Sequence, residues 1–187
     1  MGQYYRGTIL KENKKTVKTV VCPYDYGNGA KLMEHSYIGN TYVNALESLI
    51  LSNPQSVVWG GDYADNDKGY KSNVYMRCHD KLKVTPPSDV GSIKSANFVV
   101  NHTKKTFVDK SKTPKDNWGM RIHPLPLLTV EGNGRGGGDY FSDTLDANPT
   151  ENEKLIGTWA RDVISVEFKA PKGYKELKFG LVEEEEA

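Results

Sequence analysis

ANFVVNHTKKTFVDK, residues 96–110, holds two β-rich runs on either side of a polar His-Thr-Lys-Lys stretch. Runs of Val, Phe and Thr bounded by polar turn residues read as strands, and a short polar break between two of them reads as a hairpin. That hairpin sets the expectation for the whole chain. Elsewhere the β-rich runs do not alternate with helical segments, as a doubly wound parallel sheet requires. The predicted class is therefore α+β: a single domain over residues 1–182, with a mostly antiparallel sheet, one main helix and long loops. An acidic tail follows at 183–187.

Working outward, QYYRGTIL (3–10) and TVKTVVCPY (16–24) form a second predicted strand pair around the polar KENKK. SVVWGGDY (56–63) reads as a short buried strand running into a turn. One further strand is predicted at NVYMRCH (73–79), inside a long polar excursion containing Pro86 and Pro87. PLPLLTV (124–130) reads as a strand that ends at a glycine run. LIGTWARDVISVEF (155–168) reads as strand-like, with a break near Ala160 and Arg161. The main helix is TYVNALESLILSN (41–53), capped by Asn40. Tyr42, Val43, Leu46, Leu49 and Ile50 recur at three- and four-residue spacing and give it one apolar face. AKLMEHSY (30–37) predicts a short helix.

Composition argues against several classes of function, without excluding a local basic patch. Lys plus Arg is 25 and Asp plus Glu is 24, so the basic excess of a duplex nucleic-acid binder is missing. No run approaches the roughly 18 apolar residues of a membrane span. The polar N-terminal stretch lacks a secretory signal, and Arg6 stands where a myristoylation signal has Ser or Thr. A cytoplasmic location is the simplest expectation. Cys22 and Cys78 form no Cys-x-x-Cys pair and are expected to be unbridged. His79, His102 and His123 lack zinc-ligand spacing, so no metal and no cofactor are expected. No Gly-x-Ser-x-Gly elbow occurs. The neighbours Cys78 and His79 would point to opposite faces of a strand.

The strongest candidate for chemistry is EGNGRGGGDYF, residues 131–141. Gly132 to Gly137 matches G-x-G-x-x-G, and a strand is predicted before it. The helix that a dinucleotide site needs after the glycines is not, and no Gly-Lys-Ser/Thr follows for a phosphate loop. Glycines nevertheless let a ligand approach the backbone, and successive N–H groups can form an anion nest. The candidate ligand-binding set is Gly134, Arg135, Gly136, Gly137, Gly138 and Asp139. Arg135 would clamp a phosphate or carboxylate, and Asp139 would accept from sugar hydroxyls. Arg161 is a second candidate clamp, with pairing to Asp162 or another carboxylate as its alternative.

Two further candidates are catalytic. A helix over 30–37 would place Lys31 and His35 on one face beside Glu34, making His35 a candidate general acid or base, with Asp25 just upstream. Asp62 and Asp65 lie just beyond a predicted strand end, where working residues are common. Trp59, Trp118 and Trp159 are read as core or pocket walls.

MGQYY (1–5), YDYGNGAKLMEHSYIGN (24–40), WGGDYAD (59–65), HPLPLLTVEGNGRGGGDY (123–140) and WARDVI (159–164) together resemble a group of small uncharacterised bacterial and phage proteins. The resemblance spans most of the chain. It implies a cytoplasmic, often phage-associated protein with these motifs as a common core, and it implies no catalytic role for any residue.

Three functions follow as expectations. The leading one is binding of a small anionic ligand, phosphorylated or nucleotide-like, as in sequestration of a host signalling nucleotide by a phage. The second is hydrolysis of a phosphoester or glycosidic bond with His35 and Asp62 as acid and base. The third is a structural or interaction domain whose glycine run only turns the chain. Convergence of Asp25, His35, Asp62, Arg135 and Asp139 on one cleft would weaken the third.

Overall fold

Residues 3–78, 95–132 and 149–181 are described in a computed structural model of the chain. The hairpin at 96–110 forms as expected. β4 (Phe98–Asn101) and β5 (Thr106–Asp109) pair antiparallel, with Val99 opposite Val108. β1 (Tyr5–Leu10) and β2 (Val17–Val21) form a second antiparallel pair. Between these pairs lie β3 (Gln55–Gly61) and β7 (Val163–Glu167). With β8 (Lys175–Glu176) they give the strand order β2-β1-β3-β7-β4-β5-β8. The fold is mostly antiparallel α+β.

β3 organises the sheet. Along one edge it pairs antiparallel with β1 from Ser56 to Gly61. Its other edge is shared. Gln55 and Ser56 pair with β7, whereas Trp59 and Gly60 pair, in parallel, with β6 (Val130–Glu131). Strand alternation sends Val57 and Trp59 into the larger core and Val58 into a smaller one with Leu10, Val17, Val20, Val74 and Cys78. Two glycines permit this packing. A Cβ on Gly7 would sit 2.9 Å from the Trp59 ring, and one on Gly61 would sit 2.8 Å from Tyr5 and 3.1 Å from the Glu131 carbonyl.

Four helices pack on this sheet among the described residues: α1 (Leu32–His35), α2 (Thr41–Leu49), α3 (Val74–Arg77) and α4 (Pro124–Thr129). α2 is the predicted main helix. Tyr42, Val43, Leu46 and Ile50 are fully buried, while Leu49 is only partly so. The Asn40 side chain accepts from the N–H groups of Tyr42 and Val43 at 2.9 and 3.3 Å and donates to Asn28 at 2.7 Å. Asn40→Ala is expected to cost roughly 0.5–2 kcal/mol in urea unfolding, and Asn40→Ser to recover most of it. Equal losses in both variants would assign the effect to the Asn28 bond instead of the cap.

Two expected strands are helices. PLPLLTV forms α4, with only Val130 and Glu131 left extended. Pro124 suits the first helical turn, where no N–H is needed, and His123 caps it by accepting from the Leu125 N–H at 3.1 Å. NVYMRCH forms α3, because Asn73 accepts the Met76 N–H at 2.9 Å and starts a turn. Cys78 closes that turn, so it does not lie on a strand; His79 lies outside the described residues. Cys78 is buried and Cys22 half-buried, both as free thiols. The expected break near Arg161 is present: Arg161 adopts φ of 65°, and β7 begins two residues later.

Candidate functional site

β3 and β6 run parallel, so their carboxyl ends lie side by side, in register Trp59 with Val130 and Gly60 with Glu131. The two loop motifs singled out in the sequence therefore leave the sheet next to each other: DYADND after β3, and the glycine run after β6. β1 is antiparallel to β3, and so brings its first residues to the same edge, with Tyr5 opposite Gly61 and Arg6 opposite Gly60. Arg6, Gly60 and Glu131 form a row across three adjacent strands. Directly paired residues share a face, and Gly60 contributes no side chain between the other two.

The Arg6 guanidinium lies 4.5 Å above the centre of the Tyr75 ring, contributed by α3. No carboxylate pairs with it among the described residues. Burial pushes the Tyr75 phenol above its ordinary pKa, Arg6 opposes this, and Asp62, Tyr24 and Cys22 stand near enough to raise it further. The stack is thus a cation over a neutral aromatic ring. The largely exposed Tyr24 and Tyr63 add open ring surface to this part of the molecule.

Glu131, the last residue before the glycine run, is held by Arg161. The guanidinium meets both carboxylate oxygens, Nε to Oε2 at 2.7 Å and Nη2 to Oε1 at 2.5 Å. Nη2 also meets Asp67 at 2.7 Å, and Nη1 donates to the Lys14 carbonyl at 3.1 Å. Burial lowers the Arg161 pKa, but Glu131 and Asp67 outweigh that and hold it above its ordinary value. The other oxygen of Asp67 pairs with Arg77, which stacks on Tyr70 at 4.3 Å. Arg161 therefore acts as a strut between β6 and the loop after β3, with all three of its side-chain nitrogens engaged by the protein's own acceptors. The alternative given for it above, pairing with a carboxylate, describes its surroundings, although the partners are Glu131 and Asp67. Asp162 instead meets Lys104 and Asn101.

A cavity of about 520 Å³ opens beside Val130, Glu131 and Gly132, and is also lined by Lys154 and Thr158. That volume lies within the roughly 300–1,000 Å³ typical of small-ligand sites. Gly134, Arg135, Gly136, Gly137, Gly138 and Asp139 lie outside the described residues, whereas Gly132, the root of their segment, borders this cavity.

The two catalytic candidates are not brought together. His35 is fully buried. Its Nε2 accepts from Trp59 Nε1 at 2.9 Å, and its Nδ1 lies 3.1 Å from the Gly29 carbonyl, so both ring nitrogens are engaged inside the core. Lys31 occupies the N-cap position of α1, outside the helix, and so does not share a helical face with His35. Asp62 Oδ1 accepts the Tyr4 N–H at 3.0 Å, and the Asp62 N–H returns a bond to the Tyr4 carbonyl, extending the β1–β3 ladder by one step. Asp65 is exposed. Trp59 and Trp159 are core residues, while Trp118 is 57% exposed and walls no core. Among the described residues no three or more His, Cys, Asp or Glu side chains gather as a metal site, and no helix is long and apolar enough to cross a membrane.

Sequence reasoning passed over Arg6 as a site residue. The usable signal was strand alternation in QYYRGTIL, which sets Arg6 on the face opposite Tyr5. The chain matches no protein-family model, no curated protein and no solved structure.

Proposed function

We propose that this chain binds a small phosphorylated or nucleotide-like molecule at the carboxyl edge of β3 and β6, and holds it without breaking a bond. The observation that carries this reading is the parallel pairing of β3 and β6, which sets the root of the glycine run beside the loop after β3, at an edge that also presents Arg6, a guanidinium stacked on Tyr75 with no carboxylate partner among the described residues. Ligands commonly occupy the crevice outside the carboxyl ends of parallel strands, where loop backbone and strand-end side chains meet. Arg6 supplies a fork for a phosphate, and the neighbouring tyrosines supply surface on which a base can stack. The glycine run contributes backbone N–H donors and Arg135. Capture, as in sequestration of a signalling nucleotide, suits this better than hydrolysis, since both ring nitrogens of His35 are already engaged.

Calorimetry against a panel of nucleotides and sugar phosphates tests the proposal. Arg6→Ala and Arg135→Ala are each expected to weaken the bound member by roughly 1.5–3 kcal/mol, the scale of a hydrogen bond to a charged group, with little change in melting temperature. The ligand should be recovered intact from the complex. A ligand that binds both variants as tightly as the wild type would remove the site from this edge, and recovery of cleaved product would favour a hydrolase.

A further inference from the structure

A second cavity lies away from that edge, where α2 faces the segment following β5. It measures about 250 Å³ and is lined by Asn44 and Glu47 of α2, by Asn97, Lys110 and Arg121, and by backbone around Gly39 and Ser111. Its inner wall is charged. The Glu47 side chain is 1% exposed and that of Lys110 7%. Lys110 Nζ donates to Glu47 Oε1 at 2.6 Å, and His123 Nε2 stands 3.1 Å from the same oxygen. His123 Nδ1 accepts the Leu125 N–H, so the neutral ring carries its proton on Nε2. Burial lowers the His123 pKa against the opposing pull of Glu47, which keeps the ring in that neutral form.

Three polar groups in this wall have no side-chain hydrogen-bond partner among the described residues. Glu47 Oε2 is buried without a hydrogen bond. Asn44, 7% exposed, and the half-buried Asn97 make no side-chain hydrogen bond among the described residues, and both border the cavity. Buried polar groups are nearly always satisfied, so unmet ones bordering a cavity mark where an occupant belongs. At the mouth, Arg121 donates through Nη1 to the Ser111 carbonyl, leaving the rest of its fork available. With His123 neutral, Glu47 and Lys110 balance, and Arg121 adds one positive charge.

The geometry points to a binding site for a small carboxylate that also carries a hydrogen-bond donor, an amino acid or a hydroxy acid. Its donor would meet Glu47 Oε2, the Asn44 and Asn97 amides would bracket it, and its carboxylate would meet Arg121. The volume falls below the range for drug-sized ligands, which restricts the occupant to a molecule of about that size class or smaller. This site is independent of the edge of β3 and β6.

Titration of the full chain by two-dimensional amide NMR separates the possibilities, with L-serine, glycolate, acetate and ethanolamine as probes. L-Serine or glycolate should give saturable shifts at Gly39, Asn44, Asn97 and Ser111. Acetate lacks the donor and ethanolamine lacks the carboxylate, so each should bind at least tenfold more weakly. Arg121→Ala and Asn44→Ala lie at the mouth and wall rather than in the ion pair, and each should weaken the better probe by roughly tenfold or more while preserving the rest of the spectrum. Absence of saturable shifts with all four probes would show a cavity filled by water alone and overturn the proposal. So would acetate binding as well as glycolate, or unchanged affinity in both variants.

Discussion

Replacing Lys110 by alanine is expected to lower the free energy of unfolding by roughly 3–5 kcal/mol, the cost of breaking a buried ion pair from one side. Glu47 is fully buried on α2, and Lys110 is the cation that meets it. Burial alone would push the Glu47 carboxyl up, but His123 and Lys110 more than offset this and hold it below its ordinary pKa. The sign of the pH dependence follows. In the wild type this carboxylate contributes stability above the unfolded glutamate value of about 4.3 and loses it as pH falls below. Without Lys110, the cation that disfavours protonation of His123 is gone while Glu47 still favours it, so the cluster takes up a proton more readily on folding, and the variant's deficit should shrink as pH falls from 7 toward 5. Urea unfolding at several pH values measures both effects. The paired change Glu47→Leu with Lys110→Met should cost much less than Lys110→Ala alone, since apolar replacements often equal a buried pair. A loss below about half a kcal/mol for Lys110→Ala, the range of ordinary surface changes, would mean that the pair is solvated.

That pair shows where the sequence was readable and where it was not. Glu47 stands four residues after Val43 and beside Leu46, within the apolar face that the helix periodicity had marked out. A carboxylate inside such a face signals a buried charge. Its partner does not follow from the sequence, because Lys110 lies just beyond the hairpin, among other lysines, and only the tertiary fold brings it to Glu47 on α2. The hairpin at 98–109 and the Asn40 cap were legible because both are local: alternation and a polar turn in the first, a side chain bonding two and three residues ahead in the second. PLPLLTV was misread because all of Pro124–Thr129 is buried, so the run shows neither a period of two nor one of 3.6. Its Pro at the first helical position was the usable signal.

The candidate site divides the same way. That both loop motifs end strands was partly visible, but that those strands are parallel neighbours was not, since β3 and β6 are far apart in the chain and meet over two residue pairs. Arg161 stands out in the sequence as a candidate clamp or as the partner of a carboxylate. Its role as a strut depends on Glu131 and Asp67 arriving from β6 and from the loop after β3. His35 attracted a catalytic reading because its sequence neighbours are polar. Its spatial neighbours are Tyr42 and Trp59, with ring centres at 4.9 and 5.8 Å.

Those neighbours make His35 the source of a marked acid sensitivity. Trp59 Nε1 can only donate, so His35 Nε2 must be the unprotonated acceptor, and Nδ1 carries the proton toward the Gly29 carbonyl. Protonating Nε2 would set two N–H groups against each other inside the core. Burial accordingly lowers the His35 pKa to about 4, against smaller opposing effects of the Gly29 carbonyl and Glu34. The unfolded value is about 6.5. Between these values the unfolded chain holds a proton that the folded chain does not. The stability is therefore fully present above the unfolded value and is lost as pH falls through the window toward about 4. At 1.36 kcal/mol per pKa unit, the loss attributable to His35 is about 3 kcal/mol by the bottom of that window. His123, lowered in the same direction, adds to the wild-type slope. His35→Gln isolates the first contribution. It should be less stable than the wild type at pH 7, having lost the Trp59 contact geometry, yet show a distinctly flatter fall between about pH 6.5 and 4. Urea unfolding across that interval gives both slopes, and tryptophan fluorescence reports the Trp59 environment directly. Parallel slopes for the two proteins would mean that His35 titrates alike in the folded and unfolded states, and that its place between Trp59 and Gly29 carries no acid-sensitive bond.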